Sequence, residues 1–345
     1  MVKLGEERID VGEHLIYAPK VGPNAGRYGG GKKKKSKVKL VLDFIIVALV
    51  ACATFVMFKL TVLKTENQEV NNSEVVAKIP EEKVEEDKGI DLQPLLNRWK
   101  STMALSTKTG VYIIDLDNDN KVLGKIDSAQ EFPLESLYKL FVVFEGYRRV
   151  EGGLIDGDET IVGDYSVNKC LDLAIRESNS TCAEKLLDLM GGEEEIARIA
   201  RDNWGLQNTN ITSYTSTAED VVKMLTLYYE HKNISDKTWV IVKDSMLNQP
   251  PIESEDCINN TCDFRQGLPS GFSDKTKVYN KVGWKWNTAY WEAYNDAAIL
   301  EFPKHNKHFA IAVLTNGFTN TTELNKLGAL IEEALNAYLE SGISK

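Results

Sequence analysis

A lysine stands in the most apolar stretch of the globular part of this sequence, and any fold must accommodate it. The run Leu137-Tyr138-Lys139-Leu140-Phe141-Val142-Val143-Phe144 would be apolar all round a helix but for Lys139. Such a helix belongs in a core, and an ammonium there is costly unless a partner or a reaction uses it. Ser136 lies three positions earlier, on the same helical face. Pro133, a residue type favoured at helix starts, would put Ser136 in the first turn of a helix over 134–149. Free backbone N–H groups and the positive dipole end then suit a developing oxyanion. A desolvated lysine has a depressed pKa and can take a serine proton. S-x-x-K therefore reads as nucleophile plus base, and equally, taken alone, as a surface serine beside a snorkelling lysine.

Around this segment the pattern is ordered. Residues 92–103 read as a helix, and 111–116 and 121–126 as strands joined across Asp117-Asn118-Asp119-Asn120. Helical segments follow at 167–177, 181–190, 193–204 and 218–231, with Ser216 and Glu219 as a capping box for the last. Strand signals return at 277–284, 297–302 and 309–314, and a helix over 322–338 closes the pattern. The expected class is α+β: an antiparallel sheet built from both ends of the domain and flanked by helices, with an all-helical lobe inserted.

Charge divides the 345 residues sharply. Residues 1–39 hold ten Lys or Arg against four acids, and the formal charge of −10 becomes −16 once they are set aside. An acidic domain argues against nucleic-acid binding. The basic segment, read as a disordered cytoplasmic tail, instead precedes LVLDFIIVALVACATFVMFKLTVL at 40–63. As a helix these residues reach about 36 Å, enough to cross a bilayer. Seven cations and no acid between Arg27 and Lys39 keep that flank cytoplasmic, so the domain is expected outside the membrane. Residues 64–90 are expected to form an acidic stalk and 91–345 the domain. The alternatives are signal-peptidase cleavage at a site formed by Ala51 and Ala53, and lipidation of Cys52.

Outside the span remain Cys170, Cys182, Cys257 and Cys262, an even number in a disulfide-permissive compartment. Cys257 and Cys262 frame a short polar loop that a disulfide could staple. On one straight helix Cys170 and Cys182 would stand about 18 Å apart, so pairing requires a turn between them, and buried free thiols are the other reading. Four Cys without clustered His make no zinc site, and neither metal nor cofactor is expected. No G-x-S-x-G or H-E-x-x-H occurs, which disfavours a Ser-His-Asp hydrolase or a zincin.

The segment GVYIIDLDNDNKVLGKIDSAQEFPLESLYKLFVVFEGYRRVEGGLIDGDE resembles the serine-lysine region of class A β-lactamases and related penicillin-binding serine hydrolases. LDLAIRESNSTCAEKLLDLMGG resembles that family's S-D-N region, VYNKVGW its K-T-G strand, and NDAAILEFPKHNKHFAIAVLTNG the hairpin after it. The resemblance implies that Ser136 is the acylated nucleophile and Lys139 its proton acceptor. Ser178 would relay a proton to the leaving nitrogen, and Lys281 would face the cleft as a cation for a substrate carboxylate. The N–H groups of Ser136 and Trp284 would form the oxyanion hole. Gly283 would leave room for substrate, and Ser180 would contact it.

Three departures qualify this. Asp-Asn of S-D-N is Asn179-Ser180, the Thr of K-T-G is Val282, and the family's E-x-x-L-N loop is missing. Between Ile196 and Ala218 the only acid is Asp202. That loop's Glu activates the deacylating water, so the resemblance implies acylation by β-lactams or D-alanyl peptides with slow turnover. The alternatives are a D,D-peptidase or penicillin-binding protein and a non-catalytic cell-wall-binding module, with a β-lactam-sensing transducer a weaker third.

Overall fold

The structure is a computed structural model and describes residues 89–103, 107–253, 261–286, 291–317 and 322–341. The predicted tail, the span at 40–63 with Cys52, nearly all of the stalk, and Cys257 lie outside these residues. Among the described residues no helix is long and apolar enough to cross a membrane.

Helix α1 (Gln93–Ser101) precedes strands β1 (Lys108–Asp115), β2 (Lys121–Ile126) and β3 (Glu131–Pro133). A helical lobe follows: α2 (Tyr138–Glu151), the short hairpin β4 (Thr160–Val162) and β5 (Tyr165–Ser166), α3 (Val167–Arg176), α4 (Ser180–Leu189) and α5 (Glu193–Trp204). After β6 (Thr215–Thr217) come α6 (Ala218–Tyr229), α7 (Asp236–Leu247), β7 (Ile252–Glu253) and β8 (Thr261–Cys262). Strands β9 (Lys277–Trp286), β10 (Trp291–Phe302) and β11 (Lys307–Asn316) return to the sheet before α8 (Thr322–Glu340).

The main sheet is antiparallel, in the order β2-β1-β11-β10-β9, so the first and last strands of the domain meet at its centre. Alternation along β11 shows why the sheet is covered on both faces. Phe309, Ile311 and Val313 pack with Leu96 and Trp99 of α1 and with Leu327 and Ile331 of α8. Ala310, Ala312 and Leu314 join Phe141, Phe144 and Tyr228 of the helical lobe. Burying each Leu, Ile or Phe contributes about 1.5–3 kcal/mol. Helix α2 lies at the centre of the lobe, with Phe144 edge-on to Trp204 at 5.3 Å and to Tyr228 at 4.9 Å.

Two local expectations change. The cap of α6 is Thr217, whose hydroxyl accepts from Asp220 N–H, rather than Ser216. Ser216 is fully buried and pairs with Thr209 at 2.8 Å, while Glu219 accepts from Ser128. Pro133 ends β3 instead of starting a helix, and Ser136 sits in a 3-10 turn, Glu135–Leu137, that leads into α2.

Candidate active site

Three pieces of chain converge at the open edge of the sheet. The first is the 3-10 turn carrying Ser136. Leu134 N–H donates to Tyr214 C=O at 2.7 Å, which ties the turn to the loop before β6. Glu135 has φ 49, in the left-handed region that non-glycine residues seldom occupy. From β10, the Asn295 amide donates to Pro133 C=O at 2.7 Å, and its oxygen accepts from Thr315 N–H at 2.7 Å. One buried side chain thus links the sheet to the turn.

The second piece is the bend between α3 and α4. Ser178 lies there with φ 55, and Asn179 caps α4 by accepting from Cys182 N–H at 2.9 Å. Cys170 and Cys182 are disulfide-bonded with Cα atoms 4.9 Å apart, so the turn their pairing required is the one that carries Ser178. Cys262 is also disulfide-bonded.

The third piece is the edge strand β9. Gly283, expected to leave room for substrate, lies tightly against the nucleophile turn. A Cβ at this position would stand 2.1 Å from Leu134 O and 3.0 Å from Leu137 N. Trp284 lines the cleft and stacks on Tyr294 with ring centroids 4.5 Å apart, so hairpin packing accounts for this aromatic pair.

Lys139 sits where the pieces meet, with no exposed surface. Its Nζ lies 2.9 Å from Ser136 Oγ, 2.7 Å from Ser178 C=O, 3.1 Å from Ser180 Oγ and 3.4 Å from Ser178 Oγ. Burial lowers its pKa to about 8, against a smaller opposing pull from Glu184. A neutral amine can donate to Ser178 C=O and to Ser180 while its lone pair faces the Ser136 hydroxyl. That geometry suits proton abstraction.

Lys281 was expected to face the cleft as a cation. Instead it is fully buried beneath Ser178, donating to Ser178 Oγ at 2.9 Å and to Val282 C=O at 2.7 Å. Burial, then the charge of Lys139, holds its pKa well below the ordinary lysine value, while Asp296 pulls the other way. Asp296 is also buried, with its pKa raised to about 7 by desolvation. It accepts from Asn280 at 3.0 Å and from Leu268 N–H at 2.9 Å. Ser178 Oγ therefore connects the two lysines.

A cleft of about 410 Å³ opens over Ser136, Ser178 and Ser180, with Phe264, Val282 and Trp284 on its apolar side. Asp202, the one acid between 196 and 218, is on α5 and paired with Arg198 at 3.4 Å. No group of His, Cys, Asp or Glu suited to a metal ion occurs among the described residues. Asn295 and Asp296 went unnoticed in the sequence, although two polar residues interrupting a buried strand give the same signal as Lys139.

A family model described as the β-lactamase enzyme family matches residues 95–339. The chain belongs to the β-lactamase enzyme family. It is a serine hydrolase of the β-lactamase type with the α+β fold of the class A enzymes. None of the curated proteins matches it. Among solved structures it is similar to PBP-A, with 17% identity and a TM-score of 0.60 over 72% of this chain and 99% of that one. It is likewise similar to a β-lactamase from Chitinophaga pinensis, with 14% identity and a TM-score of 0.57 over 72% and 98%. A class A β-lactamase from Bacteroides cellulosilyticus gives 16% identity and a TM-score of 0.56 over 73% and 97%.

Proposed function

We propose that this β-lactamase-family protein forms an acyl-enzyme on Ser136 with β-lactams or D-alanyl peptides and releases it slowly. The observation that carries the reading is the approach of Ser136, Ser178 and Ser180 to one buried, largely desolvated Lys139. Lys139 takes the hydroxyl proton as Ser136 Oγ attacks the carbonyl carbon. The N–H groups of Ser136 and Trp284 hold the oxyanion. As the carbon–nitrogen bond breaks, Ser178 passes a proton to the leaving nitrogen and regains one from the Lys139–Lys281 side. A mutant of the structurally similar PBP-A is described as an acyl-enzyme complex with penicillin G, which fits this chemistry. Slow release rests on the stretch from Gly205 to Thr217, which carries no carboxylate where the class A family supplies its water-activating Glu.

The same reading places the domain outside a bacterial membrane, held by the helix at 40–63 with its basic flank in the cytoplasm. The buried disulfide Cys170–Cys182 suits an oxidising compartment. Fluorescent penicillin is the test. The full-length chain in detergent should label covalently and Ser136→Ala should not. Equal labelling of both, or of neither, defeats the proposal.

A further inference from the structure

The cleft is charged opposite to what a carboxylate-binding site needs. The described residues lining it include Glu177 and Glu253 but no Lys or Arg. Neither carboxylate has a hydrogen-bond or ion-pair partner among the described residues, so both are open to a ligand. The cations of the site, Lys139 and Lys281, lie below its floor and are fully buried. Val282, which also lines the cleft, offers methyl groups at the position where the resemblance expects a hydroxyl for the substrate carboxylate. The charges at the cleft mouth therefore favour a cationic group on the ligand, beside the carboxylate that β-lactams and D-alanyl peptides already carry.

Resting on the acylation reading above, we infer that the preferred acyl donor carries a protonated amine that pairs with Glu177 and Glu253 at the mouth of the Ser136 cleft. The source is either an amino-substituted β-lactam or a D-alanyl peptide with a free side-chain amine, and both present the same ammonium. With Glu177 half-buried and Glu253 exposed, each pair should change the acylation rate by about 1.5-fold to fivefold at low salt, and the preference should shrink as salt screens it.

The test, run at about pH 6.5 so that an α-amine stays protonated, uses penicillins that differ at one carbon of the side chain: ampicillin with an ammonium, penicillin G with neither charge, and carbenicillin with a carboxylate. Each competes with fluorescent penicillin for Ser136 in the full-length chain. The expected order of second-order rates is ampicillin, penicillin G, carbenicillin, and Glu177→Gln/Glu253→Gln should bring the three rates together. In a parallel arm, a D-alanyl-D-alanine peptide with a free lysine amine should suppress labelling at lower concentration than its acetylated form. A peptide effect identifies the peptide as a source, and an effect confined to the penicillins identifies the β-lactam. Ser136-dependent labelling at equal rates in wild type overturns this inference and leaves the acylation reading intact. Absence of labelling by any compound overturns both.

Discussion

Gly283 presses directly on the carbonyl of Leu134: a Cβ there would lie 2.1 Å from that oxygen. The obstacle is backbone, which cannot swing aside as a side chain can. Strand β9 thus sets the position of the turn that carries Ser136.

Gly283→Ala should therefore move that turn. Overpacking against backbone costs about 1–3 kcal/mol, and each kcal/mol corresponds to about 2–4 °C in a domain of this size. Calorimetry should find the melting temperature lowered, and fluorescent penicillin should label the folded variant more slowly than wild type. An unchanged rate would mean that the turn is positioned by other contacts.

The disulfide Cys170–Cys182 closes a short loop around the Ser178 bend. Replacing both cysteines by Ala should cost about 3 kcal/mol, read as a loss of about 6–12 °C in thermal melts. Because Ser178 is held at φ 55 within that loop, acylation should slow in the variant even well below its melting temperature. Stopped-flow labelling separates the two effects.

The pH dependence follows from Lys139. Its ordinary value of 10.5 falls to about 8 on burial, so below pH 8 the amine is mostly protonated and cannot accept the Ser136 proton. The acylation rate should climb about tenfold per pH unit below that point and level off above it. The sign for stability is the same. The folded protein binds this proton less tightly than the unfolded chain, so the energetic cost of burying Lys139 fades as pH rises from about 8 toward 10.5. Lys139→Ala should remove the profile and lower the rate by about 10²–10⁴-fold.

Much of this architecture was legible in the residues. Apolar strand-like runs and long apolar helices give the order of the main strands and most helices, and S-x-x-K stands out because a buried cation needs a reason. Helix α7 is absent from the expected elements, its Trp239-Val240-Ile241-Val242 run being rich in β-branched residues that lower helix propensity. Only the burial of Trp239, Val242 and Met246, with Ser235 as cap, explains its helical form. Gly283 signals a close approach in a strand, but the residues do not say that the neighbour is the Leu134 carbonyl. The burial of Lys281 was equally invisible, since it depends on where the Ser178 bend closes over β9.

Time-resolved mass spectrometry of the full-length chain with penicillin G tests the central claim most directly. A penicilloyl adduct should form on the peptide containing Ser136, be absent from Ser136→Ala and persist long after free drug is removed. An unmodified Ser136, or an adduct that survives its replacement, would contradict it.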